Sequence, residues 1–220
     1  MAARLSNNRP LLLGHRGAKA VRSIPENTIQ SFERALADGC DGFEFDVRLS
    51  ADGDAVVCHD PRIGRIEVAQ ASAAQLQSLP RLDEVLARFH TRAFLDVELK
   101  VGGLERLTIS LLQKYQVARG VVVSSFLPEV LRAVRAHDAS VPLGLICETV
   151  EEFRAWRSVF TEYVIPHYRL LNRERMIELK NAGTKILVWT VNDPKQMLRC
   201  RDLGVEGIVS DDAALLSRTL

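Results

Sequence analysis

The chain of 220 residues has almost no net charge: 29 lysines and arginines against 28 acidic residues leave +1. Proteins that track a phosphate backbone usually carry a basic excess, so nucleic-acid binding is not expected. No run of like charge marks a solvated tail. The four cysteines (Cys40, Cys58, Cys147, Cys200) are scattered and form no CxxC pair, which reads as buried free thiols in a reducing compartment. Long apolar runs are also missing. Near the N-terminus Arg4, Asn7, Asn8 and Pro10 precede an apolar run of three leucines (11–13), too short for a signal-peptide core or a membrane span. The expectation is a soluble cytoplasmic protein with no stable membrane insertion. Low-complexity tracts and Ser/Gly linkers are absent, as are a Gly-rich dinucleotide fingerprint and a Walker-type loop.

What is present is a repeated alternation. With 47% hydrophobic residues the chain can bury a full core, and one domain over 1–220 is expected. Runs rich in Val, Ile and Phe predict strands at 11–14, 42–48, 93–99, 121–125, 142–147, 163–166, 185–191 and 206–210. Segments of helical period follow at 27–38, 82–90, 103–116, 128–137, 150–160, 172–182, 194–202 and 212–218, with Asn27, Asn172 and Asp211 as caps. Gly183 and Gly204 each stand just beyond a helix, as C-caps do. Eight strand–helix units in this length predict a (β/α)₈ TIM barrel rather than an open doubly wound sheet, which normally uses fewer strands.

One run breaks the alternation. "AVVCHD" (55–60) follows "RLSADGD" with no room for a helix, and Asp52-Gly53 is a strong turn signal. Residues 43–58 therefore predict an antiparallel hairpin that extends barrel strand two and brings His59 opposite Glu44–Asp46.

Side chains alternate along a strand. In "GFEFDVRL" the apolar Phe43, Phe45, Val47 and Leu49 oppose Glu44, Asp46 and Arg48. In "AFLDVELK" the apolar Leu95, Val97 and Leu99 oppose Asp96, Glu98 and Lys100. In a barrel the apolar face packs on the helices, so the acids point inward, near the strand ends where barrel active sites form. Two like charges ~4 Å apart cost about 4 kcal/mol at an effective dielectric of ~20. A cation removes that cost, and all-oxygen ligation suits Mg²⁺, Ca²⁺ or Mn²⁺ rather than zinc. Glu44, Asp46 and Glu98 thus read as a divalent metal site. His15 follows strand one and His59 ends the hairpin, two imidazoles suited to general acid and base work. Arg16 and Lys100 complete an anion pocket suited to phosphoryl oxygens. His90 and His137 fall near helix ends and read as structural; His167 follows a barrel strand, which leaves a peripheral role in the site open to it.

With these residues assembled, the chain resembles the glycerophosphodiester phosphodiesterase family. The motifs are "GHRGA…PENTIQSFERAL", "DGFEFDVRLSADGDAVVCHD", "VELK", "SSF", "LVWTVND" and "GVEGIVSDD", in the family's order from Leu13 to about Leu215. The resemblance implies metal-dependent cleavage of glycerophosphodiesters to sn-glycerol 3-phosphate and an alcohol, with one Mg²⁺ or Ca²⁺ (or Mn²⁺). It implies acid/base roles for His15 and His59, metal ligation by Glu44, Asp46 and Glu98, and phosphate contacts from Arg16 and Lys100. It places Trp189 against the glycerol, and Glu26 and Asn27 behind the site. Two departures stand out. "KAVRS" lengthens the loop between His15 and Pro25, and the insertion that roofs the pocket in relatives is shortened here to 61–80. The rival readings are a phospholipase D-type or lysophospholipase activity on a related barrel, and a non-catalytic headgroup-binding module. The alcohol, the physiological metal and the oligomeric state are not encoded in these motifs.

Overall fold

The computed structural model describes residues 9–220; Arg4, Asn7 and Asn8 lie outside them. In chain order the elements are β1 (Leu11–His15), α1 (Ile29–Ala37), β2 (Gly42–Leu49), β3 (Ala55–Val57), β4 (Arg62–Ile63), β5 (Ile66–Glu67), α2 (Leu82–Phe89), β6 (Phe94–Leu99) and α3 (Glu105–Tyr115). They continue with β7 (Val121–Ser125), α4 (Pro128–His137), β8 (Leu143–Cys147), α5 (Val150–Arg154), α6 (Trp156–Val159), β9 (Tyr163–Pro166), α7 (Arg173–Asn181), β10 (Lys185–Val188), α8 (Pro194–Leu203), β11 (Gly207–Ser210) and α9 (Ala213–Thr219).

Eight strands run parallel in the order β1-β2-β6-β7-β8-β9-β10-β11, and β11 pairs again with β1. This closes the barrel that the alternation predicts. The outward faces of β2 and β6, including Phe43, Phe45, Leu95 and Val97, are fully buried against Phe32 of α1 and Leu82, Leu86 and Phe89 of α2. Phe32 stacks on Phe43 with ring centroids 4.2 Å apart. The interior is apolar in its lower part, where Leu13, Phe94, Val122, Ile146, Tyr163, Leu187 and Val209 meet. Acids appear only above that layer, so the barrel has a dry floor and a charged mouth.

The hairpin forms as expected. β3 pairs antiparallel with the end of β2, Val47 facing Val57 and Leu49 facing Ala55. Gly53 takes a φ of +85° in the turn, a conformation that costs glycine nothing. Cys58 N–H then donates to Asp46 O at 3.0 Å, which carries His59 back beside β2. Residues 61–80 make a short β4–β5 hairpin and two 3₁₀ turns, with Val68, Ala71 and Leu76 buried against Val56 and Cys58.

Three local expectations are corrected. Thr28, not Asn27, caps α1: its side chain accepts from Ser31 N–H. Asp212, not Asp211, caps α9 by accepting from Leu215 N–H. The helix expected over 150–160 breaks at Ala155 into α5 and α6, and Phe160 ends it in the left-handed region. Asn172 caps α7 as predicted, and Gly183 and Gly204 adopt positive φ after α7 and α8. No helix among the described residues is long and apolar enough to cross a membrane.

Candidate active site

The site starts where β1 ends. His15 stands in register with Glu44 of β2. Arg16 and Gly17 then both take positive φ, +50° and +83°. A Cβ on Gly17 would lie 2.4 Å from Ser31 Oγ, so only glycine fits against α1 here. This turn aims Arg16 N–H at Glu44 Oε2, 3.0 Å away. The Arg16 guanidinium reaches Glu26 Oε1 at 2.7 Å and lies 3.2 Å from Asp46 Oδ2.

The parallel register of β2 and β6 sets Glu44 beside Asp96 and Asp46 beside Glu98. Alternation then turns all four acids inward, and all four are buried. Oxygens of Glu44, Asp46 and Glu98 lie within 4.8 Å of one another. Burial, together with Asp46, Glu98 and Asp96, pushes the Glu44 carboxyl well above its ordinary range. Burial and Asp46 push Glu98 up to about 7. Burial likewise raises Asp96 to about 7, against the opposing 2.5 Å hydrogen bond from Ser124 Oγ. Asp46 behaves oppositely. Burial alone would raise it, but Lys100, Arg16 and Asn27 together outweigh burial and hold it low.

Lys100 is the resident cation among these acids, 2.6 Å from Glu98 Oε1 and 3.3 Å from Asp46 Oδ1. It does not saturate them. Glu44 Oε1 is buried without any hydrogen-bond partner, an expensive state for a carboxylate oxygen. An all-oxygen trio with one unsatisfied buried oxygen fits a hard divalent cation.

Both histidines line the same cavity of about 250 Å³ as Glu44 and Glu98. His15 Nδ1 lies 2.6 Å from Asp211 Oδ1, and its Nε2 lies 3.7 Å from Glu44 Oε2. Asn192 Nδ2 donates to the other Asp211 oxygen at 2.6 Å, while Asn192 Oδ1 accepts from Asp211 N–H at 2.9 Å. Burial would raise Asp211, but the His15 hydrogen bond and charge, with Asn192 and Lys19, bring it down to about 2. Burial lowers the His15 pKa against the pull of Asp211. The Asp211 carboxylate can only accept, so the contact at Nδ1 puts a proton on that nitrogen and turns Nε2 toward Glu44. His59 Nδ1 is 2.7 Å from Asp60 Oδ1, an arrangement far more open to solvent.

The other expected residues fall into two groups. Arg16, Lys100 and Trp189 line the cavity. The Trp189 indole donates to Ile165 O at 2.9 Å and meets Phe126 edge-on at 5.4 Å, which fixes its ring. Glu26 and Asn27 stand behind, Glu26 on Arg16 and Asn27 Nδ2 on Asp46 Oδ2 at 2.8 Å. "KAVRS" folds back on the site's edge: Ala20 N–H donates to Asp211 O at 2.9 Å, and Lys19 Nζ lies 3.6 Å from Asp211 Oδ1. His90 binds its own helix at Leu86 O, and His167 packs edge-on to Trp189 at 5.7 Å.

Sequence reasoning missed Asp211, Asn192, Phe126 and Glu148. The signal for Asp211 was barrel closure itself. Gly14 pairs with Ser210, so the residue after Ser210 must stand beside His15.

A family model described as the glycerophosphoryl diester phosphodiesterase family matches residues 15–112 and 98–215. A glycerophosphodiester phosphodiesterase from Caldanaerobacter subterraneus subsp. tengcongensis is 30% identical, over 94% of this chain and 96% of that protein. Among solved structures, a glycerophosphodiester phosphodiesterase from Parabacteroides distasonis superposes with a TM-score of 0.83 at 26% identity, covering 96% of this chain and 94% of the other. An Oleispira antarctica phosphodiesterase, solved with the product sn-glycerol-3-phosphate, shares the fold with a TM-score of 0.83 at 23% identity, covering 96% of each chain. The matches run from the His15 loop, through both acid-bearing strands, to the Asp211 turn. By that continuity the chain belongs to the glycerophosphoryl diester phosphodiesterase family, a family of phosphoric diester hydrolases.

Proposed function

We propose that this protein hydrolyses glycerophosphodiesters to sn-glycerol 3-phosphate and an alcohol, using a divalent metal and two histidines. The observation that carries the proposal is the convergence in one cavity of His15, His59 and the buried carboxylates Glu44 and Glu98, with an Asp46 oxygen within 4.8 Å of both acids. The named activity of a relative 30% identical over nearly the whole chain points the same way.

Glu44, Asp46 and Glu98 would hold one Mg²⁺ or Ca²⁺, with Mn²⁺ also suited to the donor set. When bound, such an ion supplies Lewis-acid stabilisation of charge on phosphoryl oxygens. The Arg16 guanidinium and Lys100 ammonium bring positive charge to the same cavity wall and orient the diester by charge-assisted hydrogen bonds. Each imidazole has a carboxylate at Nδ1, which leaves its Nε2 for proton transfer. One takes the proton from the attacking oxygen and the other returns a proton to the leaving alcohol oxygen. Trp189, fixed by Ile165 O and Phe126, offers an apolar face for the glycerol carbons. Glu26 and Asn27 act by positioning Arg16 and Asp46.

All four cysteines are free and buried, and burial pushes Cys40 and Cys147 up to about 12. Unreactive thiols of this kind support a cytoplasmic location. The deciding assay offers glycerophosphocholine and lysophosphatidylcholine side by side with added Mg²⁺ or Ca²⁺. Release of glycerol 3-phosphate from the water-soluble diester supports the proposal. Turnover confined to the lysolipid would replace it with a lysophospholipase reading.

A further inference from the structure

The cavity wall facing the carboxylates is apolar and aromatic, with one exception. Phe126, Ile146, Ile165 and Trp189 build that wall, and Glu148 interrupts it. Glu148 follows β8 directly. In the closed strand order β8 stands four strands from β1 in either direction, so Glu148 faces His15 across the mouth. Strand order also sets it between Phe126, which follows β7, and His167, which follows β9.

The hydrogen bond made at Glu148 comes from its backbone. Its N–H donates to Glu152 Oε2 at 2.8 Å, as part of the Thr149 capping box that opens α5. The exposed carboxylate makes no hydrogen bond or ion pair among the described residues, yet its chain is held firmly at the rim. Every other acid lining the cavity is buried on the metal side. A phosphodiester is an anion, so a bare carboxylate on the far wall weakens binding of any diester whose alcohol is neutral or acidic. The same carboxylate attracts an alcohol arm that carries a positive charge. The neighbouring Phe126 ring adds aromatic surface that favours an ammonium group further.

We propose that Glu148 is a specificity-determining residue that selects glycerophosphodiesters whose alcohol bears an ammonium group, of the choline and ethanolamine type. This rests on the phosphodiesterase reading above. The phosphate lies on the metal side, and the alcohol arm crosses the mouth toward Glu148.

The test compares kcat/KM for glycerophosphocholine, glycerophosphoethanolamine, glycerophosphoglycerol and glycerophosphoinositol in the wild-type protein and in Glu148→Gln. Glutamine keeps the size and one acceptor oxygen and removes only the charge. The wild type should prefer the two cationic diesters. Glu148→Gln should lower that preference roughly fivefold, the scale of a solvent-exposed charge pair, by losing kcat/KM on the cationic diesters and gaining it on the neutral ones. Added salt should erode the wild-type preference and not that of the variant. An equal loss on all four diesters would make Glu148 a glycerol contact and overturn the proposal, as would no change at all. Cleavage of none of the four by the wild type would overturn the phosphodiesterase reading itself, and this proposal with it.

Discussion

The Asp211 carboxylate stands 2.6 Å from Nδ1 of His15, although 196 residues separate them in the chain. The contact exists because β11 closes the barrel against β1. Asn192 holds the second Asp211 oxygen at 2.6 Å, so the carboxylate is itself oriented. A carboxylate there fixes the imidazole tautomer and stabilises the imidazolium that forms on proton uptake.

Asp211→Asn keeps the shape and removes that control. We expect kcat for glycerophosphocholine to fall by roughly 10²- to 10⁴-fold, as when a histidine loses the carboxylate that fixes its tautomer. KM should stay within a few-fold, since Asp211 lies behind His15. Steady-state kinetics separate the two parameters, and a change confined to KM would assign Asp211 to substrate binding instead.

The second histidine is supported differently. The Asp60 side chain that meets His59 Nδ1 is 71% exposed, and water can replace an exposed partner. Asp60→Asn should therefore reduce kcat only a few-fold, whereas His59→Ala should reduce it by about 10² to 10⁴, the range for loss of a general acid or base. Comparable losses in the two variants would mean that Asp60 acts in the reaction itself.

A metal held by Glu44, Asp46 and Glu98 would compete with protons for the same oxygens. Burial pushes the Glu98 and Asp96 carboxyls up to about 7 from ordinary values of 4.5 and 3.8. An acid whose folded pKa is raised contributes stability below its unfolded pKa and loses it as pH rises through the folded value. Metal-free protein should melt lower at pH 8 than at pH 6, and Mg²⁺ or Ca²⁺ should raise the melting temperature more at pH 8. Thermal denaturation in chelator and in metal checks both; an equal metal effect at the two pH values would count against ligation by these carboxylates.

A remote ion-pair cluster gives a prediction of the opposite sign. Glu33 of α1 accepts from Arg92 at 2.8 Å and Arg88 at 2.7 Å. The Arg92 hydrogen bond comes first among the causes that bring Glu33 down to about 2 from an ordinary 4.5. A depressed carboxylate stabilises the fold above its unfolded pKa and loses that contribution as pH falls toward 2. Discounted for solvent screening, the cluster is worth about 1 kcal/mol. Glu33→Gln should be less stable than the parent by that amount at pH 7, with the gap closing toward pH 2. A gap that persists at pH 2 would trace to packing rather than charge.

Much of the molecule was legible because two periods dominate it. Alternation along 42–49 and 94–99 separates phenylalanines from acids, and barrel geometry leaves the acids only one place to go. The hairpin register followed from Asp52-Gly53 and carried His59 to the right strand. What escaped turns on single residues. Asn27 and Thr28 are both good caps, as are Asp211 and Asp212, and sequence cannot tell which of two neighbours will bond the N3 amide. In each case the first residue is free for the site precisely where the second takes the cap: Asn27 binds Asp46 and Asp211 binds His15. Glu148 escaped for another reason, because nothing local in "ICETV" signals that barrel closure aims it across the mouth.

The most direct measurement is glycerol 3-phosphate released from glycerophosphocholine by the purified protein, with Mg²⁺ or Ca²⁺ and then with excess chelator, beside His15→Ala. The account predicts release with metal, none in chelator, and a loss of about 10² or more in His15→Ala. Undiminished release in chelator, or from His15→Ala free of contaminating activity, would contradict it.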